Sequence, residues 1–191
     1  MKLYVEIIRK IIFFYNLNGS VFFNVEKYNL KVYLFFEDVG WKESSPEHCA
    51  SWDIINRTIS VNLYDIVKNI KPLYDIKSTK IYLSALLRSK ECGGIFHHEI
   101  AHKMFSDRYK DLSRFNNQAS EHNSELSELY HYVVIRNNIN TNNIDDILKF
   151  FDYLKNSDNR YDVSLWYRTS SYDQNKLIQQ IQRFKRYDYD K

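Results

Sequence analysis

Cysteine, glycine and proline are scarce in this sequence. Its 191 residues include only Cys49 and Cys92, four glycines and two prolines, while 44% of the residues are hydrophobic and 16% are aromatic. Two cysteines exclude a disulfide framework, and the lack of a glycine-rich or proline-rich stretch leaves no linker that would divide the chain. We therefore expect a single packed domain over residues 1–191, which is long enough to hold a core without covalent bridges.

Neither positive nor negative charge is in large excess. The chain has 27 basic and 24 acidic residues, well mixed along its length, and a formal net charge of +3. A nucleic-acid-binding surface needs a stronger and more concentrated positive charge, so no nucleic acid is expected as a partner. The basic residues near the end are better explained as a solvated helix face. They are Lys176, Arg183, Lys185 and Arg186.

Long apolar runs are absent as well. No run approaches the roughly 18 to 20 apolar residues that a transmembrane helix needs, so no membrane partner is expected. Glu6, Arg9 and Lys10 interrupt the apolar N-terminal segment, which excludes the uninterrupted core of a signal peptide. We expect a cytoplasmic protein, or one that is delivered by a non-classical route.

The motif HExxH occupies residues 98–102. On a helix His98 and His102 lie one turn apart on the same face, so both imidazoles can bind a single metal ion. Glu99 lies about 100° round from His98, where its carboxylate can take a proton from a zinc-bound water. Apolar residues surround the motif, which predicts a helix buried at the centre of the domain. They are Ile95, Phe96, Ile100, Ala101, Met104 and Phe105.

The motif resembles that of the HExxH zinc metallopeptidases, or zincins, whose catalytic zinc has three protein ligands and one open position. The third ligand defines the subfamily. The metzincin pattern HExxHxxGxxH is excluded, because Phe105 stands at the position of its glycine and Arg108 at that of its third histidine. The gluzincins instead take a glutamate from a following helix.

The segment from Ser120 to Glu125 resembles the gluzincin pattern Asn-Glu-x-x-Ser-Asp, although serine replaces asparagine and glutamate replaces aspartate. The resemblance implies that Glu121 is the third zinc ligand and that Glu125, one turn later, supports a zinc histidine from behind. Glu125 and His122 stay open as alternative ligands. A solvated acidic helix start, favoured by the helix dipole, also explains Glu121, Glu125 and Glu128 without a metal.

The resemblance also implies the catalytic roles. Zinc polarises the scissile carbonyl and activates a water, while Glu99 takes the proton of that water and later gives it to the leaving amine. A tyrosine, histidine or arginine that follows the third ligand often steadies the oxyanion. Tyr167 is the candidate for this role, and Arg168 and Tyr172 fit by position as well.

Hydrophobic periodicity predicts an α+β fold, with a small antiparallel or mixed N-terminal sheet and a helical C-terminal half. The resemblance implies that this fold is zincin-like. An amphipathic helix at 3–15 should lie across the sheet, whose first two strands form a hairpin at 21–25 and 30–36. The alternating pattern also predicts a strand at 56–63, and the resemblance implies that this strand runs along the cleft with a free edge for an extended peptide. The other predicted elements are a loop at 37–53, a metal helix that ends near 105, helices at 120–136 and 144–155, and a last helix that a capping box at Ser171 opens and that runs to about 186. Their predicted N-caps are Ser120, Asn143 and, in a capping box with Gln174, Ser171.

Together these features predict a zinc-dependent metalloendopeptidase that hydrolyses peptide bonds of a narrow protein target. The small size and the missing signal peptide favour a toxin-like effector, a phage or mobile-element protein, or a peptidase similar to the ImmA/IrrE type. The alternative is a zincin fold retained as a binding module without proteolytic activity, and the intact His98, Glu99 and His102 speak against it. The expected partner is a protein or peptide substrate, and the sequence does not determine the oligomeric state.

Overall fold

A computed structural model describes residues 2–15, 20–35, 50–62, 76–109, 115–132 and 138–183 of the chain. These residues form an α+β fold with a four-stranded sheet and seven α-helices. The strands are β1 (Val21–Val25), β2 (Leu30–Phe35), β3 (Ala50–Asp53) and β4 (Thr58–Asn62). The helices are α1 (Lys2–Phe14), α2 (Ile76–Leu87), α3 (Lys90–Ser106), α4 (Asn117–Tyr130), α5 (Ile144–Lys155), α6 (Arg160–Ser170) and α7 (Gln174–Arg183). No helix in the described ranges is long and apolar enough to cross a membrane.

The sheet is mixed, with the strands in the order β1, β2, β4, β3. The predicted hairpin of β1 and β2 is confirmed. The prediction that β4 has a free edge is wrong, because β4 pairs in parallel with β2 and antiparallel with β3. Thr58 and Asn62 are buried although they are polar, as expected of a strand with neighbours on both sides. Next to β4, the outer strand of the described sheet is β3. β3 falls within the segment 37–53 that was predicted to be a loop, and residues 36–49 lie outside the described part of the chain.

The first core cluster lies between α1 and one face of the sheet. The buried residues of α1 recur at helical spacing, and burial alternates along β1 and β2. Val32 lies beside Ile59 in the register of β2 and β4, and both are fully buried. α3 adds Phe96 and Ile100 to the same cluster. Each such buried side chain stabilises the fold by about 1.5 to 3 kcal/mol.

The second core cluster joins α4 to the three C-terminal helices. α5 has the predicted bounds and the predicted cap, since the Asn143 side chain accepts a hydrogen bond from the backbone N–H of Asp145. Its buried stripe is Ile147, Phe150, Phe151 and Leu154. α3 contributes Ile95 to this cluster. α3 therefore touches both cores, as predicted for the helix that carries the HExxH motif.

Two helices have an N-cap residue other than the predicted one. α4 begins earlier than predicted, because the Asn116 side chain accepts a hydrogen bond from the backbone N–H of Ala119 at 2.9 Å. Ser120 is therefore inside the first turn of α4 and free to face another helix. At α7 the cap is Asp173, which accepts from the backbone N–H of Lys176 at 3.0 Å, and not Ser171. α6 is a helix that the sequence analysis did not predict.

Candidate metal centre

Two antiparallel helices, α3 and α4, carry the candidate site. The start of α4 lies beside the later part of α3, since Ser120 is in contact with His102. Further along α4, the Ser127 hydroxyl donates to the backbone carbonyl of His97 at 3.4 Å. The face of α4 that makes these contacts has buried serines at helical spacing, Ser120, Ser124 and Ser127. Such small side chains allow the two helices to pack closely.

His98 and His102 present their ring nitrogens to each other, as the i, i+4 spacing predicts. Their Nε2 atoms lie 3.1 Å apart, and only a small part of each side chain is exposed. α3 begins at Lys90, and its N-cap Ser89 accepts a hydrogen bond from the backbone N–H of Cys92. The rigid helix, anchored in both cores, therefore sets the separation of the two imidazoles.

Glu121 from α4 completes the group. Its Oε1 lies 3.2 Å from Nε2 of His98, and its Oε2 lies 3.2 Å from Nε2 of His102. One donor atom from each of the three residues lies within 4.8 Å of the others, a spacing at which they can hold a metal ion. We call His98, His102 and Glu121 the donor group. Because the Glu121 side chain is 52% exposed, one side of the group faces solvent.

The second nitrogen of each imidazole is held by α4. Nδ1 of His98 lies 3.1 Å from Oε2 of Glu128, and Nδ1 of His102 lies 2.8 Å from Oγ of Ser120. With Nδ1–H as the donor in each contact, the Nε2 atoms keep their lone pairs for a metal. The donor set therefore fits a cation in chemistry as well as in spacing.

Glu128 is buried and is held by a cation of its own. Arg168 on α6 donates to both carboxylate oxygens of Glu128, at 2.8 and 2.9 Å. Burial alone would raise the pKa of Glu128, but its hydrogen bonds with His98 and Arg168 outweigh burial and hold the pKa well below its usual range. An ionised carboxylate therefore lies behind His98 and fixes the orientation of its ring.

Glu125, which the sequence analysis assigned to this supporting position, lies elsewhere. The Tyr172 hydroxyl donates to its carboxylate. Counting 100° per residue, Glu128 is displaced by about 20° from Glu121 towards the serine face of α4, whereas Glu125 is displaced by about 40° away from it. The structure thus brings Glu128, and not Glu125, to His98.

His122, the other alternative ligand, also faces away from the donor group. Its Nε2 lies 3.1 Å from the side-chain amide nitrogen of Gln180 on α7, and its ring packs edge-on against Tyr172 at a centroid distance of 4.3 Å. The carboxylate that meets both zinc-binding candidates on α3 is that of Glu121.

The electrostatics of the donor group favour a positive charge. Burial alone would lower the pKa of His98, but hydrogen bonds with Glu121 and Glu128 raise it to about 10. Hydrogen bonds with His102 and His98 lower the pKa of Glu121 well below its usual range. Carboxylates that draw a proton onto an imidazole also draw a metal cation to the same place.

Glu99 lies in the same cleft as the donor group but is not part of it. The cleft is a cavity of about 310 Å³ whose described lining combines all three donor residues with Glu99 and Ile95 of α3, Glu128, Arg168, and Ala50 and Ser51 of β3. Glu99 is only 6% exposed, and burial raises the pKa of its carboxyl group against the opposing charges of the two histidines.

Tyr167, the candidate for the oxyanion, is 72% exposed and is not among the described residues that line the cleft. Its neighbour Arg168 lines the cleft, one helical position further on. Tyr172 is held by Glu125. Of the three positions considered from the sequence, only that of Arg168 borders the cavity.

Comparison of the chain with protein-family models, with curated proteins and with solved structures finds no match. The functional argument therefore rests on the geometry of the site itself.

Three residues have site contacts that the sequence did not predict: Ser120 with His102, Glu128 with His98, and Arg168 with Glu128. Glu128 follows Glu121 by two helical turns, so the heptad spacing was a signal that both carboxylates share a face. Ser120 was assigned to a cap because serine commonly occupies that position. Arg168 had no local signal, since its contact with Glu128 joins two helices that are distant in sequence.

Proposed function

We propose that this chain is a zinc-dependent metallopeptidase of the gluzincin-like kind. The observation that carries the proposal is the convergence of His98, His102 and Glu121, from two separate helices, in a cleft that is also lined by Glu99. Two imidazoles and one carboxylate are a common ligand set of catalytic zinc, which leaves a fourth position open. Zinc bound there would supply Lewis acidity for a scissile carbonyl and for a water molecule.

Glu99 is the proposed base and acid of the reaction. It follows His98 directly on α3, which places its carboxylate beside the donor group and within the cavity. In this role it takes a proton from the attacking water and later delivers that proton to the nitrogen of the departing amine. The burial of Glu99 keeps bulk water away from the proton that it carries.

The proposed substrate is a peptide in extended conformation, presented by a protein target. β3 lines the cleft through Ala50 and Ser51. As an outer strand of the described sheet, β3 replaces β4 as the strand along which such a peptide would lie.

The test compares the parent protein with Glu99→Gln on a proteome-derived peptide library read by mass spectrometry. Both proteins should contain zinc, and only the parent should create new peptide termini, with a loss of several orders of magnitude in the variant. A chelator should stop cleavage by the parent, and added zinc should restore it.

Equal cleavage by the parent and by Glu99→Gln would refute the proposed mechanism. Zinc binding without new termini in either protein would support the alternative, a zincin-like fold that acts as a binding module. The two functions therefore separate in one experiment, since zinc content and cleavage are measured on the same samples.

A further inference from the structure

Gly93 lies about one and a half turns before His98, at the place where α3 meets the end of α4. A methyl group added at its Cα would lie 2.7 Å from Nε2 of His131 and 3.4 Å from the Tyr4 hydroxyl. Attractive contacts between non-bonded heavy atoms need about 3.5 to 4.0 Å, so the first of these distances is a clash. With the His131 ring in its observed position, only glycine fits at position 93.

The imidazole of His131 has little room to move away. His131 is buried, and its ring stacks on that of His97 at a centroid distance of 4.1 Å. Tyr4 packs edge-on against it at 6.4 Å, and the Tyr4 hydroxyl is itself held by the backbone carbonyl of Leu87. A larger side chain at position 93 would therefore shift the backbone of α3 relative to that of α4.

The same pair of helices holds the donor group. His98 and His102 belong to α3, and Glu121 belongs to α4. A ligand set must be held within about 0.5 Å of its productive geometry to bind well. We infer that Gly93 is a positioning residue for the metal site: its contact with His131 sets the spacing of α3 and α4 at which Glu121 reaches His98 and His102. This inference rests on the proposed function.

Four proteins test the inference: the parent, Gly93→Ala, His131→Ala and the double variant. An alanine normally stabilises a helix relative to glycine, so a loss in Gly93→Ala points to the clash. Zinc affinity, measured by competition with a chromophoric chelator, should fall at least about 10-fold in Gly93→Ala. The double variant, which has space for the new methyl group, should bind zinc within about twofold of His131→Ala.

Wild-type zinc affinity in a folded Gly93→Ala would overturn the inference, and so would a double variant as weak as Gly93→Ala. If Gly93→Ala does not fold, folding of the double variant with the affinity of His131→Ala supports the inference, and its failure to fold overturns it. If the parent binds no zinc, the proposed function fails. The role of Gly93 in the helix spacing is then tested by metal-free melting temperatures. The melting temperature should be lower in Gly93→Ala than in the parent, and that of the double variant should match that of His131→Ala.

Discussion

Two helix interfaces of this chain are built in opposite ways. α5 packs on its neighbours through apolar residues such as Phe151 and Leu154, which are buried in the second core cluster. α3 and α4 instead meet through serines, imidazoles and carboxylates, including the buried Glu128. Apolar burial stabilises a fold by itself, whereas buried charges add little net stability even when they are well paired. The α5 interface therefore serves the fold, and the α3–α4 interface holds the donor group.

This contrast implies that substitutions at the two interfaces change different measured properties. Loss of the solvent-facing donor Glu121 at α3–α4 should alter metal affinity and leave the metal-free fold largely intact. Changes at α5 should alter the free energy of unfolding and leave the affinity of the folded protein unchanged. The following variants test the contrast.

Loss of a donor residue should have the largest effect. The parent should bind about one zinc per chain, and His98→Ala, His102→Ala and Glu121→Ala should each lose it, because two ligands do not hold a catalytic zinc. The metal-free melting temperature of Glu121→Ala should change little, since Glu121 is half exposed and its carboxylate contacts the two histidines of the donor group. Metal analysis of the purified variants beside thermal unfolding checks both statements. If the zinc content were unchanged in all three variants, the proposed metal site would be refuted.

Truncation in the second core should come next. Leu154 is fully buried, so Leu154→Ala should lower the free energy of unfolding by about 2 to 5 kcal/mol. Leu148, on the same helix, is exposed, and Leu148→Ala should stay within about 0.5 kcal/mol of the parent. Urea unfolding of the metal-free proteins measures both. Weakened zinc binding in the folded Leu154→Ala protein would contradict the separation of the two interfaces.

Removal of the carboxylate behind His98 should weaken zinc binding without abolishing it. Glu128→Gln is expected to lower zinc affinity by about 10-fold to 100-fold, because the His98 ring loses its ionised partner. Glu125→Gln is the matched control and should bind zinc like the parent, since Glu125 is held by Tyr172. The opposite order of the two affinities would return the supporting role to Glu125.

The Glu128→Gln variant also removes the counter-ion of Arg168. Glu128→Gln should therefore also be destabilised, and the double variant Glu128→Gln/Arg168→Met should recover stability but not zinc affinity. Recovery of affinity together with stability would show that Glu128 acts on the fold rather than on His98.

The smallest effect is expected at Ser120. Its hydroxyl contacts Nδ1 of His102, and Ser120→Ala should weaken zinc binding by about 10-fold, the lower end of the range for such partners. Ser124 is the control, because its buried hydroxyl has no hydrogen-bond partner within the described part of the chain, so Ser124→Ala should bind zinc like the parent. Equal zinc affinity in both variants would show that packing, and not the Ser120 hydroxyl, orients the His102 ring.

Local patterns accounted for much of the fold. The amphipathic spacing of α1, the hairpin of β1 and β2, and the bounds and cap of α5 were all predicted from neighbouring residues. The missed elements lack such a pattern. α6 mixes charged, hydroxyl and aromatic residues and buries Asp162 and Thr169, and β3 spans only Ala50–Asp53. Their structure depends on contacts with elements that are distant in sequence.

The sequence by itself determined the paired imidazoles, because residues four apart on a helix share a face whatever surrounds them. It also indicated that Glu121 was a candidate ligand, without excluding Glu125 or His122. Only the tertiary structure distinguished them, since the packing of α4 on α3 brings the carboxylate of Glu121 to both histidines. The packing of α6 on α4 brought Arg168 to Glu128. Helix geometry is local and can be counted along the chain, whereas the approach of two helices depends on the side chains between them.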